Sequence, residues 1–356
     1  MTQKTNNRIA VVLFNLGGPD SLEAVEPFLF NLFFDKSIIT LPRPLRWLVA
    51  KLISKRRKKT AINIYTQMGG GSPILDNTKK QAGALMEALS SALPEYEVNV
   101  YIIMRYWGPR CKNVVTEVQN FDPGKIVLLP LYPQFSTTTT GSSMMEWRKY
   151  YSNRNSTSKQ NTQLYNVCCY FLEENFLAAQ RNLIKERCSQ LEKNKTVILF
   201  SAHGLPEKIV QNGDPYQWQI EKCVKAIMQD KLLEDWTYKI SYQSRVGPVK
   251  WIGPSTDEEI KAIGQNNKNV ILVPISFVSE HSETLVELDI EYNKLAKACG
   301  IKEYVRVPTL GNNIHYITCL SRLVQNTINN SCASSGGQDC ANNFKGCPSS
   351  LLNSIV

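Results

Sequence analysis

The sequence predicts an α/β protein of two similar doubly wound, Rossmann-like domains, each a parallel sheet wrapped by helices, with a cleft between the domains. Three observations carry this. Short Val/Ile/Leu-rich runs alternate with helical stretches around residues 79–93, 216–231 and 284–298, the order expected when crossover helices join parallel strands. The runs come in matched pairs: 9–14 and 197–200 each lead into a small-residue turn ending in proline, 98–105 and 238–245 each alternate and end in arginine, and Lys125-Ile126-Val127-Leu128-Leu129-Pro130-Leu131 matches Asn269-Val270-Ile271-Leu272-Val273-Pro274-Ile275 almost position by position. Buried strands share a vocabulary, so one such match means little, whereas three in the same order point to an internal duplication. A connector dominated by Asn, Ser, Thr, Lys and Gln lies within 149–164. It divides the chain into an N-terminal domain over 8–150 and a C-terminal domain over 165–328, followed by a tail over 329–356.

After the first strand, Gly17-Gly18-Pro19 makes a tight turn, and two apolar segments, 28–34 and 45–53, run into Lys55-Arg56-Arg57-Lys58-Lys59. Exposed apolar segments flanked by Lys and Arg suit an anionic bilayer, where each basic residue near the surface contributes on the order of 1 kcal/mol. A buried helix with a solvated basic end fits the same residues. Gly69-Gly70-Gly71-Ser72 offers either backbone donors to an anion or a plain turn. A net charge of +10 and a pI near 9.0 imply an acidic partner. The absence of helix-turn-helix, zinc-finger and RNA-recognition signatures argues against nucleic acid, and the lack of a Gly-x-Gly-x-x-Gly or Walker loop argues against nucleotides. With 356 residues the chain can bury two cores. No run approaches the roughly 20 apolar residues of a membrane span, and the first residues lack a signal region. The expectation is a cytoplasmic protein, peripherally associated with the inner membrane, its ten cysteines mostly reduced.

Two strand-like runs end in groups that handle protons and metals. The run 197–200 leads into Ser201-Ala202-His203-Gly204-Leu205-Pro206, and the run 270–277 into Glu280-His281-Ser282-Glu283. Open α/β sheets bind ligands at the carboxyl ends of their strands. At 100° per residue a helix from Glu283 places Glu283, Glu287 and Glu291 on one stripe, with Glu280 just before it and Asp289 on the far side. Like charges four apart cost a helix roughly 0.2–0.5 kcal/mol per pair. A solvated acidic face is one reading of this ladder; its start at the buried end of a strand favours a path for cations. Gly204 and Pro206 force a turn that presents His203 outward as a base or ligand. Of the other two histidines, His281 lies where it can tune the carboxylates or assist, and His315 reads as structural.

These residues sit in motifs that resemble ferrochelatase over nearly the whole chain: Phe14-Asn15-Leu16-Gly17-Gly18-Pro19, Gly69-Gly70-Gly71-Ser72-Pro73-Ile74, Tyr132-Pro133-Gln134-Phe135-Ser136, Ser201-Ala202-His203-Gly204-Leu205-Pro206, Gln243-Ser244-Arg245-Val246-Gly247-Pro248 and the segment from His281 to Asp289. The resemblance implies insertion of Fe(II) into protoporphyrin IX with loss of two protons. It implies His203 as proton acceptor or metal ligand and Glu283 as its partner, with Glu287 and Glu291 extending an acidic path. Arg105, Tyr106, Tyr132, Ser136, Thr139, Trp251 and Phe277 correspond to pocket residues, Leu16 to the pocket lip, and Arg57 and Ser72 to propionate anchors. Without the resemblance, Trp251 and Phe277 read equally as core, and Arg105 and Arg57 as surface charges. Two positions depart from the pattern: Thr60 stands where animal enzymes carry a further lysine, and Trp107 where smaller residues are common.

Cys332, Cys340 and Cys347 in a Ser/Gly/Asn-rich tail resemble the extension that holds a [2Fe–2S] cluster in some ferrochelatases. Such a cluster needs four ligands, and Thr137 occupies the distant ligand position of animal enzymes. A tail of free thiols is the other reading. Metallation of a different tetrapyrrole, such as coproporphyrin III or a cobalt substrate, and a porphyrin carrier without turnover are the functional alternatives. Oligomeric state leaves no mark in the sequence.

Overall fold

The computed structural model describes residues 7–152, 162–245, 247, 249–330, 332–334 and 344. In chain order the strands are β1 (Arg8–Asn15), β2 (Glu97–Met104), β3 (Lys125–Pro130), β4 (Gln163–Cys169), β5 (Thr196–His203), β6 (Tyr238–Gln243), β7 (Asn269–Pro274), β8 (Tyr304–Arg306) and β9 (Cys332–Ser334). They form two all-parallel sheets, one in the order β2-β1-β3-β4-β9 and one in the order β6-β5-β7-β8. The α/β class and parallel sheets expected from the sequence are present. The first four strands of each sheet also share one topology, with the leading strand between its second and third. The three sequence echoes are the pairs β1/β5, β2/β6 and β3/β7.

The chain forms two compact units. The first takes residues up to Tyr132, Ser136–Cys169 and Ile317–Ser334; the second takes Pro133–Phe135 and Tyr170–Tyr316. These limits differ from divisions at 150–165 and 328. Pairing is the reason: β4 lies beside β3 and β9 beside β4, so both belong to the first sheet despite their place in the chain.

In the first unit β1 lies between β2 and β3, and its residues 9–14 are essentially fully buried. A strand covered on both faces cannot alternate in polarity, which is why it appears as an unbroken apolar run. Ala10, Val12 and Phe14 meet Val114, Val115 and Val118 of the helix Cys111–Phe121 and Trp147 of the helix Ser142–Ser152, each fully buried Val or Phe contributing roughly 1.5–3 kcal/mol. The turn after β1 depends on close approach: a Cβ on Gly18 would stand 2.5 Å from the Ser72 side chain, so only glycine lets the two turns touch.

In the second unit Val197, Leu199, Val270 and Leu272 pack on Ile260 and Ile263 of the helix Thr256–Gln265 and on Leu288. Ser255 starts that helix with a capping box, its hydroxyl on the Glu258 N–H and the Glu258 carboxylate on the Ser255 N–H. The stretch expected as one α-helix over 284–298 is instead a π-helix, Glu283–Tyr292, followed by an α-helix, Asn293–Ala298. Periodicity at 100° per residue could not distinguish the two, because the wider helix is held from outside, by contacts to β6 and β8.

Candidate active site

The second unit brings the predicted centre together. His203 is the last residue of β5, and its backbone N–H donates to Ser276 Oγ at 3.1 Å. The next residue, Gly204, donates its N–H to the Gln243 carbonyl at 2.8 Å; a Cβ there would strike that same oxygen and crowd the Trp251 ring. The strand ends of β5 and β6 are thereby drawn together, with Trp251 packed beside the turn. Glu283, in the first turn of the π-helix, places Oε2 2.8 Å from His203 Nδ1. The imidazole keeps 42% of its side-chain surface accessible and Glu283 23%, so the pair is reachable from solvent.

Glu287 adjoins this pair through Ser244. Ser244 Oγ donates to Glu287 Oε2 at 2.5 Å and lies 3.4 Å from Glu283 Oε2, while its backbone N–H reaches Glu287 Oε1 at 2.9 Å. Gln243 Nε2 and the Tyr292 hydroxyl complete the shell of Glu287 at 3.2 and 3.1 Å. Ser244 takes a left-handed φ of 61°, a conformation that costs a non-glycine residue on the order of 1 kcal/mol. That backbone aims both of its donors at the carboxylates.

The charges are mutually tuned. Burial opposes the imidazolium of His203, but the Glu283 carboxylate outweighs it and lifts the histidine above its ordinary range. Burial likewise works against ionised Glu283, and the attraction and hydrogen bond of His203 overcome it, lowering the acid to about 2. Glu287 moves the other way: burial and the neighbouring Glu283 charge push it up, although Ser244 donates to it twice. His281 is buried, donates Nδ1–H to the Ser279 carbonyl at 3.1 Å and lies against Phe277, ring centroids 4.8 Å apart. Burial pushes its pKa down, which makes it a neutral neighbour of the pair.

Two acidic residues of the ladder stand apart. Glu291 is exposed, two turns beyond Glu283. Glu280 is turned from the stripe onto Arg306, which also binds Asp289, the residue expected on the far side. Among the described residues no three His, Cys, Asp or Glu side chains are spaced to enclose a metal ion. The arrangement is a hydrogen-bonded histidine–carboxylate pair with an adjoining carboxylate joined to it through Ser244.

In the first unit the predicted residues gather at the carboxyl ends of β1 and β2. The N–H groups of Arg105 and Tyr106 donate to the carbonyls of Asn15 and Leu16, and the Ser72 N–H to that of Pro19. Each nitrogen of the Arg105 guanidinium is bonded within the unit: Nε to Ser142 Oγ at 2.9 Å, Nη1 to Glu146 at 3.0 Å and Nη2 to Asp35 at 2.7 Å. Tyr106 donates its hydroxyl to the same Asp35 oxygen at 2.8 Å. Buried Asp35, unremarked in the sequence, is held ionised by Arg105 against the cost of burial. Tyr132 follows β3, with its hydroxyl pushed well up by burial. Ser136 caps a short π-helix, Thr137–Gly141, by accepting from the Thr138 N–H, and Thr139 lies in its first turn. Arg57 is exposed on the helix Arg43–Gln67, 6.0 Å from the Phe33 ring centroid.

A strand-end histidine bonded to the first carboxylate of a wide helix, in an order of motifs that spans both sheets, has counterparts among known proteins. The ferrochelatase family profile matches residues 8–328. The chain belongs to the ferrochelatase family. It is 50% identical over 346 residues to the ferrochelatase of Rickettsia bellii (strain OSU 85-389), covering 96% of this chain and 94% of that one, and 48% identical over 342 residues to the ferrochelatase of Pelagibacter ubique (strain HTCC1062), covering 95% and 98%. Among solved structures, SirB from Bacillus subtilis with Fe3+ shares the fold, with a TM-score of 0.55, 11% identity, and coverage of 91% of this chain and 97% of that one. As a ferrochelatase the enzyme is a lyase-class metal chelatase that makes protohaem, and ferrous iron and a porphyrin are its substrates.

Sequence reasoning passed over Ser244 as an individual residue, although it lies within the ferrochelatase motif Gln243-Ser244-Arg245. Val246 and Pro248 of that motif lie outside the described residues, as do Cys340 and Cys347; Cys332 is in β9. Of the three tail cysteines expected as cluster ligands, Cys332 alone lies among the described residues.

Proposed function

We propose that the His203–Glu283 pair carries proton removal and metal transfer during insertion of ferrous iron into protoporphyrin IX. The observation behind this is the 2.8 Å contact of His203 Nδ1 with Glu283, beside a second carboxylate joined through Ser244. With Glu283 ionised, Nδ1 carries the proton it donates to that carboxylate, so Nε2 presents its lone pair. Nε2 can accept a pyrrole proton, and the imidazolium that results is stabilised by the charge already in place. Inserting the metal releases two protons. Glu287, its affinity for protons raised by burial and by the Glu283 charge, is proposed to take one onward, with exposed Glu291 further along. From the ferrochelatase resemblance, Leu16, Tyr106, Tyr132, Ser136 and Thr139 in the first unit, and separately Trp251 and Phe277 in the second, are proposed as porphyrin contacts, with Ser72 and Arg57 as propionate contacts. Arg105, fully engaged with Asp35, Glu146 and Ser142, is proposed to hold the first unit's contacts in place. A bent macrocycle exposes its nitrogen lone pairs, and binding energy at such remote contacts supplies the strain.

Substrate choice is tested by supplying protoporphyrin IX or coproporphyrin III with Fe(II) or Co(II) under anaerobic conditions and following absorption. The expected order puts protoporphyrin IX with Fe(II) first; a larger kcat/KM for coproporphyrin III would reassign the substrate.

The enzyme is also proposed to rest on an anionic bilayer through the helix Arg43–Gln67. No described helix is long and apolar enough to cross a membrane. Leu45, Leu48 and Leu52 are instead 54%, 60% and 58% exposed, beside Trp47 and the basic run 55–59. Vesicles containing phosphatidylglycerol should float the protein and phosphatidylcholine vesicles should not. Leu48→Glu with Leu52→Glu should abolish flotation; retention by that variant would remove this surface from consideration.

A further inference from the structure

We propose that Arg306 and Tyr304, on the short strand β8, are positioning residues that keep the π-helix Glu283–Tyr292 wide, so that Glu283 and Glu287 converge on Ser244. The inference rests on the reading of those carboxylates as the metal- and proton-handling pair, and adds what holds them.

A π-helix closes a longer ring for each hydrogen bond than an α-helix does and is rare over more than one turn, so a ten-residue example needs anchoring from outside. Apolar burial of Val286 and Leu288 holds the helix against the sheet, but such packing is non-directional. The directional contacts come from β8. Arg306, 12% exposed in its side chain, sets its fork on Asp289, Nε to Oδ1 at 2.5 Å and Nη2 to Oδ2 at 2.8 Å, and extends Nη1 to Glu280 Oε1 at 2.9 Å. The same Glu280 oxygen accepts the Thr309 N–H at 3.0 Å. One guanidinium thus bridges residues on either side of Glu283 and Glu287. Between them, the Tyr304 hydroxyl donates to the Leu288 carbonyl at 2.7 Å, inside the π-helix itself.

Successive residues are therefore gripped from different strands: Glu287 by Ser244 after β6, Leu288 and Asp289 by β8. Tightening the helix by one residue per turn would rotate everything beyond the change by about 100°. Glu287 could then no longer face Ser244 while Asp289 faces Arg306. Only a planar fork satisfies both oxygens of Asp289 and still reaches Glu280, which a lysine ammonium cannot do.

The test compares Tyr304→Phe, Arg306→Lys and Arg306→Met in the full-length enzyme, with KM measured separately for Fe(II) and for porphyrin and folding checked by thermal melting. Loss of an outer support for a metal-handling group costs about 10–100-fold in metal affinity. The expected result is an Fe(II) KM about tenfold higher for Arg306→Lys, larger for Arg306→Met and smaller for Tyr304→Phe, with porphyrin KM within about twofold of wild type. Tyr304→Phe loses one hydroxyl and decides the matter alone if the arginine variants do not fold. An unchanged Fe(II) KM, a fall in kcat without it, or parallel changes in both KM values would overturn the proposal. Glu287→Gln runs alongside: if it also leaves Fe(II) KM unchanged, the carboxylate reading itself fails, whereas a raised KM there with normal clamp variants rejects only the clamp.

Discussion

His203→Ala should lower porphyrin metallation by about 10²–10⁴-fold, the range for loss of a positioned proton acceptor. Porphyrin affinity, followed by fluorescence quenching, should change by less than about threefold, because the imidazole acts on the bond being made and not on the bulk of the ligand. The protein should stay folded. His203 sits at the accessible end of β5, and its backbone contact to Ser276 survives the substitution. Retained turnover would show that another group takes the proton. A proportionate loss of porphyrin binding would instead mark His203 as a contact residue without a part in proton transfer.

The second large effect belongs to Glu283→Gln, expected to cost about 10²-fold or more in kcat and to move the pH profile in a defined direction. His203 must be neutral to accept a proton, so the acidic limb of kcat/KM follows its pKa. Glu283 raises that pKa above the ordinary value against the effect of burial. With glutamine in place the opposing charge is gone, burial prevails, and the limb should move to lower pH, toward or below about 6.5. A limb that stays in place would separate the two residues electrostatically and overturn the pairing. The same shifts set where the pair supports the fold. The raised His203 contributes stability that is fully present below about 6.5 and is lost as pH rises through its folded value. Glu283, lowered to about 2, contributes above about 4.5, and that contribution is lost as pH falls through 2.

Much of this was legible in the residues. The unbroken apolar runs of β1, β3, β5 and β7 announced strands buried on both faces, and their order announced the duplication that both sheets repeat. His203 was legible because it closes the buried run of β5, and Glu283 because it opens the acidic ladder in the segment that follows β7, within motifs that resemble ferrochelatase. The helix type was not legible. Glu283, Glu287 and Glu291 fall on a stripe at α-helical spacing, but the chain follows a wider path in which Glu287 meets Ser244, Glu280 and Asp289 meet Arg306, and Glu291 stays exposed. Asp35 was equally silent: an aspartate between two apolar segments carries no local mark of a half-buried arginine seventy residues away.

Local pattern determined the fold class and the repeat of strands along the chain, since those depend on burial periodicity and on residues adjacent in sequence, and the ferrochelatase motifs singled out His203 and Glu283. Tertiary structure decided the wide helix, the left-handed Ser244 and the partners of Arg105 and Arg306. Each of these depends on donors supplied by distant strands, and a group's charge state follows from neighbours that sequence distance does not reveal.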